Sequence, residues 1–187
     1  MKDYAEILKH RNVQAFLALI RFTEGAGYQT LFGGERFASM QDHPRRAITR
    51  TLGGKPITST AAGAYQFLAR TWDECRLALD LPDFSAFSQD KAAVFLVDRR
   101  AALGHVLDGD WERAIEGCNR EWASLPGSPY GQPTKSLAKC LAFLAERTKK
   151  QEDAAAVAPF PPTNPEVPQW LRSLQQQFLR LFRPRQR

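Results

Sequence analysis

Val13-Gln14-Ala15-Phe16-Leu17-Ala18-Leu19-Ile20-Arg21-Phe22-Thr23-Glu24-Gly25 is the stretch on which the reading of this chain turns. Apolar residues recur in it at helical spacing, and the row Phe16, Ile20 continued by one more turn lands on Glu24. A carboxylate thus stands where the pattern asks for an apolar side chain facing a core or the wall of a cleft. Gly25 and Gly27 follow at once, so the acid sits near the helix C-terminus, where the negative end of the dipole disfavours ionisation. Desolvation and dipole both push its pKa upward, and a carboxylic acid that keeps its proton near neutral pH is equipped to act as a general acid. A glutamate in a last helical turn is also commonly a solvated residue, and the pattern by itself leaves both readings open.

The chain has 187 residues, enough for one domain with a single core and a short appendage. Its net charge of +6 is unevenly placed: Arg172, Arg180, Arg183, Arg185 and Arg187 fall in residues 169–187, which hold no acid, so the preceding body is almost neutral. A neutral body argues against a broad phosphate-binding face, and no nucleic-acid partner is expected. Cys75, Cys118 and Cys140 are odd in number and lack close pairing, which suits small core residues of a protein made in a reducing compartment. His10, His43 and His105 are isolated from one another and from the cysteines, so neither a metal nor a cofactor is expected. Met1-Lys2-Asp3-Tyr4-Ala5-Glu6 has no apolar signal region, and no run of about twenty apolar residues follows anywhere. A soluble protein without an export signal of its own is the expectation.

Residues 12–23 read as the first helix. From Gly27 to about Thr51 the helical period disappears, and Gly33-Gly34, Asp42-His43-Pro44 and the β-formers Tyr28, Thr30, Leu31, Phe32, Ile48, Thr49 and Thr51 predict short strands and turns. A small-residue loop is expected from Gly53 to Gly63, entering a helix from about Gln66 to Leu79 that Pro82-Asp83 stop. Ser88 reads as the N-cap of a helix running to Leu107, and Asp108-Gly109-Asp110 as a turn before a helical row from Trp111 to Trp122. Leu125 to Gly131 holds two prolines and two glycines and is expected to be irregular, ahead of a last helix over residues 134–149. The expected fold class is α+β: a mostly helical body over 1–153 with a small antiparallel β lobe beside a cleft, a Pro/Ala-rich linker over 154–168, and a basic amphipathic helix over 169–187.

Eight words occur in order along the body: Thr23-Glu24-Gly25, Gly27-Tyr28, Gly33-Gly34-Glu35, Asp42-His43-Pro44-Arg45, Ser59-Thr60-Ala61-Ala62-Gly63-Ala64-Tyr65-Gln66, Asp83-Phe84-Ser85, Ser88-Gln89-Asp90, and Trp122-Ala123-Ser124-Leu125-Pro126-Gly127 with Tyr130-Gly131-Gln132. Taken together, over about residues 12–145, they resemble the phage lambda endolysin family. The resemblance implies a lysozyme-like domain that cuts peptidoglycan glycan strands between N-acetylmuramic acid (MurNAc) and N-acetylglucosamine (GlcNAc). It further implies a lytic transglycosylase, in which the muramic acid C6 hydroxyl attacks its own C1 to leave a 1,6-anhydro end. Glu24 matches the family's single catalytic glutamate. The family's role implies a protein that waits in the host cytoplasm until a holin permeabilises the inner membrane, then reaches the periplasm and causes lysis; a monomer is expected. Two departures from the phage lambda protein are visible. The stretch between Glu24 and Gly33 is shorter, and Gln29 stands where that protein has Asp after the Tyr, which trims the upper lip of the cleft and removes a carboxylate.

A hydrolase that cuts a glycosidic bond needs a second carboxylate as nucleophile or water-activating base, whereas an intramolecular transglycosylase does not. Glu35, Asp42 and Asp90 are the nearest alternatives for that second acid. Glu35 falls in the β patch and is read as substrate-contacting or structural. Gln66 closes a pattern similar to the Gly-x-x-Gln element of many transglycosylases, where the amide helps position the sugar, and it is equally suited to capping the next helix. Tyr65, Ser59 and Thr60 neighbour it as substrate-binding candidates, and Tyr130 and Gln132 join them from an irregular loop, where a tyrosine is suited to stacking on a sugar. Trp111 and Trp122 read as core. A hydrolytic N-acetylmuramidase, and a non-catalytic wall-binding or membrane-disrupting antimicrobial protein, are the competing outcomes.

The tail is a separate proposition. Trp170, Leu171, Leu174, Phe178, Leu181 and Phe182 fall on one helical stripe, with Arg172, Arg180 and Arg183 elsewhere, which is the pattern of an interfacial helix. Each arginine near an anionic surface contributes about 1 kcal/mol, and the apolar stripe adds to it. The expected partner is anionic membrane or lipopolysaccharide; the alternative is that the stripe packs on the body or on another copy. A chain ending at Ala158 is expected to lose binding to anionic vesicles in a co-sedimentation assay, and undiminished binding would remove the membrane role.

Overall fold

The computed structural model describes residues 2–157. Its elements are α1 (Tyr4–Ile7), α2 (Arg11–Glu24), β1 (Ile48–Leu52), β2 (Lys55–Ser59), α3 (Ala69–Leu79), α4 (Ala86–Arg99), α5 (Leu103–Asp108), α6 (Trp111–Cys118) and α7 (Leu137–Val157). A first structural unit ends at Gln151 and a second begins at Glu152. Residues 158–187 lie outside the described residues, and with them most of the expected linker and the tail residues Trp170, Arg172, Leu174, Phe178, Arg180, Leu181, Phe182 and Arg183.

Helix α2 is the central element. Val13, Ala15, Phe16, Leu17, Ala18, Leu19 and Ile20 are all buried, so the helix is covered on nearly every side by its neighbours α4 and α5 and the surrounding core. His10 caps its start by accepting the Asn12 N–H. At the other end Gly25, with φ 63, turns left-handed and donates its N–H to Arg21 C=O, which stops the helix on Glu24. Trp72 of α3 is fully buried, edge-on to Phe84 at 4.5 Å and Phe67 at 5.6 Å. Cys75, Cys118 and Cys140 are buried free thiols in this core, and burial pushes the Cys75 and Cys118 thiols up to about 12.

The β lobe is an antiparallel hairpin whose register runs from Ile48 opposite Ser59 to Leu52 opposite Lys55. The α+β class, with one small antiparallel sheet beside a helical body, is therefore as expected, but the second strand is not where the sequence places it. The expected loop from Gly53 is a tight turn, with Gly53 at φ 56 and Gly54 at φ 77, followed at once by β2. Positive φ at both central residues is the geometry of the hairpin turn that Gly-Gly favours. Pro56 hides the strand in the sequence, yet it is tolerated because both strands of a two-stranded sheet are edges.

Several helix boundaries also move. Gln66 has φ 47 and lies outside α3, which begins at Ala69, whose N–H donates to Thr60 Oγ1. The helix expected from Ser88 to Leu107 is two helices: Ser85 caps α4, and Ala101 at φ 57 ends it, with Ala102 N–H returning to Val97 C=O. An alanine in the left-handed region costs about 1 kcal/mol relative to glycine, so the sequence carries no breaker at that point. Helix α6 stops at Cys118 rather than Trp122, and α7 runs to Val157, through the alanine run assigned to the linker. Helix α1, unanticipated, is capped by Asp3 and anchored by the Tyr4 hydroxyl donating to Asp98 at 2.7 Å.

The β lobe is tied to the helices through Gln89. Its fully buried amide accepts the Ala64 N–H at 2.9 Å and donates to the carbonyls of Tyr28 and Phe84 at 3.0 and 2.8 Å. A Cβ on Gly63, which has φ 79, would collide with that amide, so this glycine is required on two counts.

Candidate active site

Glu24 opens into a cleft of about 470 Å³. Phe32 and Leu68 contribute apolar wall, Ser59, Gln66, Tyr130 and Gln132 polar wall, and Arg99, Arg100, Arg120 and Glu121 charge. The sequence-predicted candidates Glu24, Ser59, Tyr65, Gln66, Tyr130 and Gln132 are thus brought together. Glu35 and Thr60 are not among the lining residues.

Burial raises the Glu24 pKa, and a hydrogen bond from Ser124 opposes part of that rise. The Ser124 Oγ lies 2.6 Å from Glu24 Oε1 and 2.9 Å from Thr23 Oγ1, and the Thr23 hydroxyl donates to Ile20 C=O at 2.9 Å. Ser124 has one proton to give. With Glu24 ionised, that proton belongs to the carboxylate; with Glu24 protonated, Ser124 accepts from the acid and donates to Thr23. The hydroxyl pair therefore supports both protonation states, which suits a group that acts first as acid and then as base.

The alternative acids are committed elsewhere. Glu35 is exposed and pairs with Arg50 at 2.6 Å and Arg46 at 3.8 Å. Asp42 pairs with Arg45 at 3.2 Å and accepts from the Trp72 indole at 3.3 Å. Asp90 accepts from the hydroxyls of Tyr28 and Tyr65 and lies 3.6 Å from Arg21, whose guanidinium sits over both rings. Glu121, the other carboxylate lining the cleft, is held by Arg99 and Arg100.

That network also defines Tyr65. Its ring is 1% exposed and its phenol both accepts from Arg21 and donates to Asp90, so it forms cleft floor, with the phenol withdrawn from any sugar. Gln66 donates its amide to Thr30 and Gly63 carbonyls at 3.2 and 2.9 Å, joining two loops at the cleft edge and leaving its Oε1 as an acceptor. Ser59 Oγ accepts the Ala61 N–H at 3.1 Å while lining the cleft. Tyr130 is 57% exposed and its hydroxyl donates to Arg120 C=O at 3.0 Å. Trp122 is buried, as expected, and its indole donates to Tyr65 C=O at 3.2 Å; Trp111 stacks on Phe16. Sequence reasoning missed Ser124 as a partner of Glu24 and the Arg99, Arg100, Arg120 and Glu121 group. Ser124 stood in a quoted word, but nothing in its spacing announces a contact across 100 positions. Among the described residues no three His, Cys, Asp or Glu side chains converge to hold a metal ion.

Residues 14–149 match the sequence profile of the family described as Endolysin. The endolysin of Escherichia phage lambda is 43% identical over 129 residues, covering 64% of this chain and 80% of that protein. The endolysin of Escherichia phage P2 is 38% identical over 146 residues, covering 70% of this chain and 88% of that protein. Among solved structures, bacteriophage lambda lysozyme complexed with a chitohexasaccharide superposes with a TM-score of 0.69 at 38% identity, covering 74% of this chain and 94% of that one. A second lambda lysozyme structure gives 0.63 at 36% identity, over 74% and 93%.

Burial makes the folded protein hold the Glu24 proton to higher pH than the unfolded chain does. The associated stability is fully present below the unfolded pKa and is lost as pH rises through the folded one. Glu24→Gln is therefore expected to raise the thermal unfolding midpoint at neutral pH, with the gain fading toward about pH 4, where the unfolded glutamate is itself protonated. A lowered midpoint at neutral pH in a calorimetric scan would contradict the buried-acid assignment.

Proposed function

The chain belongs to the endolysin family, and from that premise we propose that it cuts the MurNAc–GlcNAc bond by intramolecular transglycosylation. It is a peptidoglycan-degrading phage endolysin; the proposal concerns how the bond is broken. The observation that carries it is the lone status of Glu24: the other carboxylate of the cleft, Glu121, is held between two arginines, and Glu35, Asp42 and Asp90 are paired elsewhere. Among the described residues the cleft offers no unpaired second carboxylate of the kind a two-carboxylate hydrolase uses, which supports the intramolecular route.

On this reading a glycan strand lies in the cleft with sugar faces against Phe32 and Leu68 and polar groups toward Ser59, Gln66, Tyr130 and Gln132. The Glu24 carboxyl gives its proton to the glycosidic oxygen as the bond to MurNAc C1 breaks. Positive charge then develops at C1 next to the newly formed carboxylate, to which Ser124 donates. The C6 hydroxyl of the same MurNAc attacks C1, its proton passes to Glu24, and the 1,6-anhydro ring closes with the acid restored. Water is not consumed. The tail's affinity for an anionic membrane or lipopolysaccharide, synthesis in the host cytoplasm, and entry to the periplasm after a holin opens the inner membrane belong to the same proposal.

Hydrolysis by an N-acetylmuramidase route is the second reading; it keeps Glu24 as acid and replaces the C6 hydroxyl by water. Mass analysis of muropeptides released from purified wall separates the two: anhydro-MurNAc ends are expected, and reducing MurNAc ends would overturn transglycosylation. Glu24→Gln is expected to lower the release rate by about 100-fold or more, the scale of general acid catalysis. Cleavage undiminished in that variant would remove Glu24 from its role.

A further inference from the structure

The cleft that holds Glu24 also holds three arginines, more positive charge than a neutral sugar chain calls for. Glu121, whose side chain is only 8% exposed, accepts from Arg99 at 3.1 and 3.3 Å and from Arg100 at 2.7 Å. Arg99 also donates to Glu74 at 3.1 Å. One buried acid thus fixes two guanidiniums in place at the junction of α4 with the turn that follows α6. The third arginine is held by its backbone: Arg120 C=O accepts from Arg100 at 3.4 Å and from the Tyr130 hydroxyl at 3.0 Å. Arg120 is exposed, lines the cleft, and has no carboxylate partner among the described residues. Of the charged groups lining the cleft, three are cationic and two are acids, Glu24 and Glu121.

Hydroxyl and acetamido groups are matched by neutral side chains and backbone, whereas a planar guanidinium matches a carboxylate with paired N–H donors. In peptidoglycan, carboxylates are carried on the MurNAc lactyl substituent, either as the free lactyl acid of a bare strand or as the acidic residues of a stem peptide. We propose that Arg120, beside Arg99 and Arg100 clamped by Glu121, forms a carboxylate-binding subsite for the lactyl-borne substituent of MurNAc. The proposal rests on the peptidoglycan reading and narrows it: the enzyme reads charge along one side of the strand as well as sugar shape. Glu121 preorganises Arg99 and Arg100, and the Tyr130 hydroxyl fixes the Arg120 backbone, which lowers the ordering cost of binding.

Calorimetric binding to full-length Glu24→Gln protein, which does not turn the ligand over, tests this with glycans of equal sugar number. One ligand carries free lactyl carboxylates, a second carries stem peptides, and a third has its lactyl acids converted to neutral amides. The expected result is affinity about tenfold higher for a carboxylate-bearing ligand than for the neutral one, the size of one charge-assisted hydrogen bond. That preference is expected to shrink with added salt and to disappear on adding Arg120→Gln. Preference for the first ligand assigns the subsite to the lactyl acid, and preference for the second alone assigns it to the stem peptide. Equal affinity for all three, or a preference that survives Arg120→Gln, would overturn the subsite while leaving glycan binding intact. Failure to bind any of the glycans would overturn the peptidoglycan reading, and the subsite with it.

Discussion

Helix α2 buries seven apolar residues between Val13 and Ile20 and ends on a carboxylate, so the position of Glu24 is dictated by that packing rather than by any loop. The helix has no freedom to rotate its last turn toward solvent without exposing that core. Gly25, in the left-handed region, ends the helix there and sends the chain away. The consequence is a glutamate held partly out of water, beside a hydroxyl that accepts or donates according to its charge. The proposed chemistry depends on this arrangement, because an acid at its ordinary pKa would have lost its proton before meeting a glycosidic oxygen.

The surroundings keep competing charges away from that acid. Asp90 is balanced by Arg21 and two tyrosines, Glu35 by Arg50, Asp42 by Arg45, and Glu121 by Arg99 and Arg100. Gln89 and Gly63 lock the loop carrying Tyr65 and Gln66 onto α4, while Gln66 ties it to the Thr30 backbone. These buried, satisfied networks fix the cleft walls before substrate arrives. The hairpin, by contrast, offers little core of its own, so its stability comes from the segments that join it to the helices.

Glu24 was legible in the sequence because it breaks an apolar row at one position and is followed at once by a helix-stopping glycine. The same reasoning failed wherever the chain uses an unexpected residue for a standard task. Ala101 takes a left-handed position usually given to glycine, so one predicted helix proved to be two. Gln66 does likewise at φ 47, which moved the start of α3, and Pro56 concealed β2. In the site, Thr60 serves as a cap for α3 and Glu35, read as substrate-contacting or structural, is an ion-pair partner in the β lobe. Ser124 and the Arg–Glu121 cluster meet their partners across 100, 22 and 21 positions, and only the folded chain brings them together.

The buried-acid assignment of Glu24 is tested most directly by a carbon-13 NMR titration of its carboxyl in the full-length protein. The expected ionisation lies above that of an ordinary glutamate and rises further in Ser124→Ala, where the hydrogen bond that favours the carboxylate is gone. Titration at or below the ordinary glutamate value would contradict it.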